Sequence, residues 1–312
     1  METQVLDQGA SPARRDKVKS SLWDQVMKLS DIFLIGWSIV TYIFLYLPIV
    51  VLILFSFTKD KLGLKFVPWS LDPYRVLFKN KEIMDWGPIL HFRPPTGAFP
   101  TSMSVAVLST VIALIIGTTG AFALERHRFR GHDVWDGLNY TKIIVAEIVA
   151  GVSTLLFFVA AAEGAKGYFG FDLLGFLRPG YIAVVIAHVA WSIPFVVIIV
   201  RARLKGFDRS IEEAGADLGG RPTVVFVKVT FPAIAPGIMA AALLAFTLSF
   251  DDFVTTFFTS GSGMATLPVM IWSMIKRNVG PEINALSTFM MLFSMGIIIF
   301  LELKARISDD IA

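Results

Sequence analysis

Three carboxylates, Asp251, Asp252 and Glu147, fall inside long apolar runs of the 312-residue chain. A carboxylate at the centre of a membrane helix costs about 2.5–3.5 kcal/mol on insertion scales, so it persists where it meets a partner or lines a path for a cation. Both roles are open to each of the three. Neighbouring positions on a helix point about 100° apart, so at most one of Asp251 and Asp252 faces a given pocket; Asp252 is favoured. Glu147 has Lys142, five residues back, as an alternative partner. His188 lies in another apolar run and is expected to hydrogen-bond between helices. Trp191 and Phe253 could offer ring faces to a passing cation at about 0.5–2 kcal/mol each. Packing is the commoner use of such rings, and Trp272 fits an anchor at the membrane interface.

Other chemistry is excluded. No G-x-x-x-x-G-K-[ST] phosphate loop occurs, so the chain has no Walker site for ATP. It holds no H-E-x-x-H, and no Ser/His/Asp set stands at the end of an apolar run. Cys is absent, which removes thiol and disulfide chemistry. Catalytic and metal-binding residues are therefore expected to be none. A net charge of +3 gives no case for nucleic acid.

The elements that must position the carboxylates are membrane helices. Hydrophobic residues make up 55% of the chain and charged ones 17%, gathered between the apolar runs. About 20 residues at 1.5 Å rise cross roughly 30 Å of hydrocarbon. Six segments qualify: 32–57, 101–124, 139–162, 181–203, 235–258 and 282–303. The fold class is all-α integral membrane. Its expected parts are a polar tail at 1–30, a six-helix domain at 31–304 and a short tail at 305–312. Pro48 and Pro194 stand inside the first and fourth spans and should kink them. Gly117 and Gly120 miss the G-x-x-x-G spacing by one residue and carry no weight. With the N-terminus inside, 16 Lys/Arg lie on the inner side against 11 outside, which puts both termini in the cytoplasm.

Outside, Asp72-Pro73 reads as a cap and first helical position. Thr266 reads as the cap of a helix reaching Asn278. On it Leu267, Met270, Ile271, Met274 and Ile275 form one apolar stripe, so it should lie along the protein or the membrane surface. The outer loop 82–100, with Trp86-Gly87-Pro88 and Pro94-Pro95, is long.

The loop between spans four and five, residues 205–236, reads KGFDRSIEEAGADLGGRPTVVFVKVTFPAIAP. Ser210 and Glu213 have capping-box spacing. Gly219 or Gly220 is the expected left-handed terminator. Arg221-Pro222 begins a second short helix, and Pro232 limits its end. The product is a compact two-helix knob, which by itself could be an ordinary surface loop.

Glu213-Ala214-Gly215, then Gly219, Val229, Phe231 and Pro232 resemble the E-A-A…G…I-x-L-P signature of binding-protein-dependent, MetI-like ABC importer permeases. The spacing matches throughout, with Gly215, Val229 and Phe231 replacing Ala, Ile and Leu. The segments 203–208, 248–261 and 266–288 extend the resemblance to the PotC-type permeases of spermidine/putrescine importers.

The resemblance implies that Glu212, Glu213, Ala214, Gly215, Asp217, Gly219 and Pro232 belong to a cytoplasmic coupling helix that docks on an ATPase. It implies a second homologous permease, two ATPase subunits carrying ATP and Mg, an outer solute-binding protein and a bacterial inner-membrane location. The chain itself would hold no cofactor. Its work would be transport by alternating access, of a polyamine or of another small solute such as an amino-acid-like compound. An ion-coupled secondary transporter using Asp251, Asp252 and Glu147 explains the carboxylates equally well but leaves the loop unexplained. A membrane scaffold or enzyme has no supporting constellation.

Overall fold

A computed structural model describes residues 12–58, 69–85, 97–170, 172, 174–277 and 280–309. It divides into two units, Met1–Phe55 and Ser56–Ala312. Among the described residues, the first holds a single helix, α1 (Pro12–Phe55), with Pro48 inside it. Helical backbone therefore covers residues 12–30 of the expected tail. Side chains from Phe33 to Tyr46 are exposed. Ser38 and Thr41 hide their hydroxyls by donating to the carbonyls of Leu34 and Trp37, as a helix in hydrocarbon requires.

The second unit begins with two short helices, α2 (Asp72–Lys79) and α3 (Lys81–Met84). Pro73 stands in the first turn of α2, but the cap position is Leu71, so Asp72 lies inside the helix, one place later than expected. Of the long outer loop, residues 86–96 lie outside the described residues. Next come α4 (Ala98–Arg126), α5 (His132–Ile144), α6 (Glu147–Phe169), a 3-10 turn at Gly175–Leu177 and α7 (Tyr181–Lys205). The chain then forms α8 (Ser210–Asp217), α9 (Pro222–Val225) and a π-turn (Phe226–Thr230). It closes with α10 (Phe231–Phe250), α11 (Val254–Thr259), α12 (Leu267–Arg277) and α13 (Pro281–Asp309). Among the described residues, six helical stretches are long and apolar enough to cross a membrane: Phe33–Phe55, Ala98–Arg126, Glu147–Phe169, Tyr181–Lys205, Pro222–Phe250 and Pro281–Phe300. The six-helix, all-α expectation holds.

Two spans differ from the sequence reading, each for a local reason. The third was placed at 139–162, but the helix breaks at Val145 and Ala146, whose ψ values of 130° and 133° are extended. Glu147 therefore opens α6, where a carboxylate complements the unpaired N–H groups of the first turn. The fifth was placed at 235–258. Its helix runs instead from Pro222, because the π-turn bond from Phe231 N–H to Phe226 carbonyl admits Pro232 without ending the helix. Pro232 thus lies near the start of α10 and terminates nothing. The same helix stops at Phe250, because the Asp252 carboxylate takes the N–H groups of Thr255 and Thr256 and starts α11.

The core is α4, α7 and α10, packed through Ala113, Ala121, Val196, Val200, Ile234 and Ala241. In lipid no hydrophobic force drives helices together, so close packing of small residues must. A Cβ added at Gly117 would lie 2.6 Å from Val196 Cγ1, so α4 and α7 meet there at a distance only glycine permits. Gly117 therefore carries the weight that its irregular spacing hid. Gly151 does the same between α6 and Phe258, and Gly237 between α10 and the Arg203 side chain. The α12 stripe joins this body, with Leu267 and Met270 buried and Ile271 and Met274 packed beside them. The Thr266 hydroxyl has no partner among the described residues, and the Leu267 N–H donates instead to Ser102 Oγ at 2.7 Å.

Gly117→Val should destabilise the bundle by roughly 1–3 kcal/mol, the usual cost of overpacking. Gly120→Ala, whose added Cβ would sit 3.6 Å from Val197, should be near neutral. Thermal inactivation of the detergent-solubilised protein compares the two.

Candidate functional site

The loop from 205 to 236 builds its short helix by a different cap from the one its sequence advertises. Ser210 is the first residue of α8, and the Arg209 position before it makes no side-chain capping bond. The capping box with Glu213 is not formed. Asp208 Oδ1 instead accepts the Ser210 N–H at 2.9 Å, and the bonds from Ser210 hold the Asp208 carboxyl below its ordinary pKa. At the other end Gly219 adopts φ +82°, with Gly219 N–H bonded to Ala216 carbonyl and Gly220 N–H to Gly215 carbonyl. That is the paired pattern of a Schellman stop, and its left-handed residue wants glycine. Gly220 is fixed for another reason: a Cβ there would stand 2.6 Å from the Gly215 oxygen. At Gly215 an added Cβ would meet Val225 at an ordinary 3.5 Å, so the position has room for alanine.

One side chain fastens this helix to the bundle. Both Glu212 oxygens receive the Arg126 guanidinium, at 2.7 and 2.8 Å, and Thr230 Oγ1 donates to Oε1 at 2.6 Å. Arg126 ends α4, and Thr230 ends the π-turn that feeds α10. Partial burial pushes the Glu212 carboxyl up, but the bonds from Thr230 and Arg126 outweigh it and hold the pKa below the ordinary value. The side chains of Arg126 and Glu212 keep only 17% and 23% of their exposure, which limits screening of the pair. The other face of the knob is bare. Glu213, Ala214, Asp217 and Gly219 are exposed, and Leu218 retains 90% of its surface. Beside it a cleft of about 420 Å³ is lined by Phe122, Arg126, Glu212, Glu213, Val225 and Phe226.

The carboxylates separate into different environments. Asp252 is 7% exposed and its oxygens are occupied. They accept the N–H groups of Thr255 and Thr256 and the Thr256 hydroxyl at 3.0 Å, and His188 Nε2, 2.9 Å from Thr256 Oγ1, lies 3.2 Å from Oδ2. His188 Nδ1 meets Ser249 Oγ at 2.6 Å, and Ser249 meets Ser109 at 2.9 Å. Asp252, favoured from the sequence, is therefore the enclosed member, tying α7 to the start of α11. Glu147 lies on the exposed face of α6 within electrostatic reach of Asp252. Lys142 is turned away from it, with Nζ 4.8 Å from the Trp191 ring centroid. Asp251 points elsewhere. It lines an open cleft of about 390 Å³ with Ile271, Ser287, Met290 and Ser294, and Ser294 Oγ stands 3.4 Å from its Oδ1. Phe253 packs between Phe257 and Trp272, 5.4 Å from each. The structure thus brings Glu147 and Asp252 together and leaves Asp251, Trp191 and Phe253 apart from that pair.

Sequence reasoning passed over Arg126, Thr230 and Arg201. Arg126 entered only as one of the loop's positive charges. Arg201 stands at the end of an apolar run, where its burial against Asp136 and Glu125 gives a structural signal that the run alone does not.

No family profile matches the chain. Among curated proteins, the spermidine/putrescine transport system permease protein PotC of Escherichia coli K12 is 33% identical, over 87% of this chain and 93% of its own. The putrescine transport system permease protein PotI of the same organism is 35% identical, over 85% and 89%. PotC of Haemophilus influenzae is again 33% identical, over 87% and 95%. In fold, the chain is similar to a bacterial ABC transporter involved in alginate import, with TM-score 0.66, 14% identity, and 92% and 98% of the chains covered. It is also similar to the MetNI methionine ABC transporter in an inward-facing form, with TM-score 0.51, 13% identity, and 67% and 93% covered. An identity of one residue in three, held over nearly the whole length of both chains, makes this protein a member of the PotC/PotI family of transport system permeases.

Proposed function

We propose that the chain is a transmembrane subunit of an ATP-driven importer that carries a polyamine of the spermidine or putrescine class across the bacterial inner membrane. The observation that carries the coupling part is the asymmetry of α8. Its inner side is fastened to α4 and α10 through Glu212, while Glu213, Ala214, Asp217 and Leu218 stand open for a partner. A short helix held rigidly on one side and bare on the other suits helix-in-groove docking. A push on it moves two spans as one body.

The partners in this reading are a second homologous permease, two ATPase subunits that hold ATP and Mg, and an outer solute-binding protein. The knob and both termini then face the cytoplasm, in line with the excess of Lys/Arg on that side. The names of the relatives support the polyamine assignment, and so does chemistry. A carboxylate on an open cleft within the membrane attracts an alkylammonium strongly, because little water is present to screen it. Asp251 is that carboxylate, lining its cleft beside methionines. Asp252 and His188 act as a fixed strut behind it.

Two outcomes follow. Gly219→Arg places a β-carbon in the left-handed region and a cation on the docking face. It should abolish stimulation of ATP hydrolysis by putrescine-loaded binding protein in proteoliposomes; normal stimulation would remove the knob from the coupling path. Asp251→Asn should lower uptake of radiolabelled putrescine by about tenfold, equivalent to roughly 1.4 kcal/mol, with complex assembly intact. Wild-type uptake would take Asp251 off the route.

A further inference from the structure

Three consecutive residues at the end of α4 reach three different elements. Arg126 holds Glu212 of α8. Glu125 Oε2 accepts from Arg201 Nε of α7 at 3.4 Å, and the same guanidinium pairs through Nη1 with Asp136 of α5. The Leu124 carbonyl meets His132 Nε2, in the first turn of α5, at 2.8 Å, while His132 Nδ1 lies 3.1 Å from Asp133. Arg201 is 9% exposed and His132 8%, while their carboxylate partners keep more of their surface, 28% for Asp136 and 96% for Asp133. One end of α5 is thus clamped to the same helix end that clamps α8.

The other end of α5 lies about 20 Å away at 1.5 Å per residue. There Lys142 rests on Trp191, and after two extended residues Glu147 opens α6 beside Asp252. A helix clamped at one end and joined to the next through two extended residues at the other can act as a lever. We infer that α5 is a second transmitting helix. Displacement of α8 passes through Arg126 to the adjoining Glu125, and from there through Arg201 and Asp136 to α5, which shifts Lys142 and Glu147. Asp136 is a positioning residue in this route. The inference rests on the importer reading above and adds to it a path from the knob to the Glu147 side of the bundle.

This chain has no Cys, so paired spin labels can be placed in it and assembled with partner subunits whose own Cys have been replaced. In the assembled importer, labels at Val134 (α5) and Ile211 (α8) are each paired with one at Ile182, near the start of α7. All three side chains are exposed. Electron–electron distances are read without nucleotide and with ATP trapped. Both pairs should change in the wild type. In Asp136→Asn the Ile211 pair should still change and the Val134 pair should change by less than in the wild type, since the His132–Leu124 contact remains. Putrescine taken up per ATP hydrolysed should then fall about tenfold, since the largely buried Arg201 loses its charged partner on α5. Asp136→Glu should restore most of that ratio. A Val134 distance unaltered by ATP in the wild type overturns the lever, and so does wild-type uptake per ATP in Asp136→Asn. A wild-type complex in which the Ile211 pair is also static, with no stimulated hydrolysis, overturns the importer reading and the lever with it.

Discussion

The bidentate pair between Arg126 and Glu212, with Thr230 closing on the same carboxylate, is the contact on which the rest depends. Without it α8 would keep only its packing against the neighbouring α9 and π-turn. With it, α8, the end of α4 and the start of α10 form one body. The pair is partly buried, so removing one partner leaves an unsatisfied charge, and its loss costs more than that of an exposed ion pair. The neighbouring residue Glu125 draws Arg201 and Asp136 into the same junction. A mechanical input at the knob therefore meets a stiff assembly of helix ends.

The middle of the bundle is organised by a different polar network. Asp252 ends α10 by capping α11, and His188, Ser249 and Ser109 link it to α7 and α4. Every oxygen and nitrogen in this chain of contacts has a partner, which is what a low-dielectric interior demands. It separates two adjacent aspartates by role: Asp252 is built into the frame, and Asp251 is left facing a cleft. Close approach at Gly117, Gly151 and Gly237 supplies the packing that holds these polar groups within reach.

The six spans were legible because hydrocarbon thickness fixes their length and apolar character. The loop was legible because glycine in the left-handed region and proline at a first helical position are local signals. What escaped were choices between competing local bonds. Ser210 and Glu213 spell a capping box, yet Asp208 wins the Ser210 N–H because it stands two residues ahead in a tight turn. Pro232 spells an end, yet a π-turn absorbs it. Asp251 and Asp252 are indistinguishable in sequence, since only the break after Phe250 gives them different directions. The Arg126–Glu212 pair spans 86 residues of chain, and no periodicity encodes such a partner.

The central claim is that this pair transmits force, and a charge-exchange cycle tests it most directly. Arg126→Glu, Glu212→Arg and the double exchange would be compared for putrescine uptake driven by binding-protein-stimulated ATP hydrolysis in proteoliposomes. Each single variant should lose most of its uptake, and the double variant should recover a substantial part. Singles that transport like the wild type, or a double variant no better than either single, would contradict it.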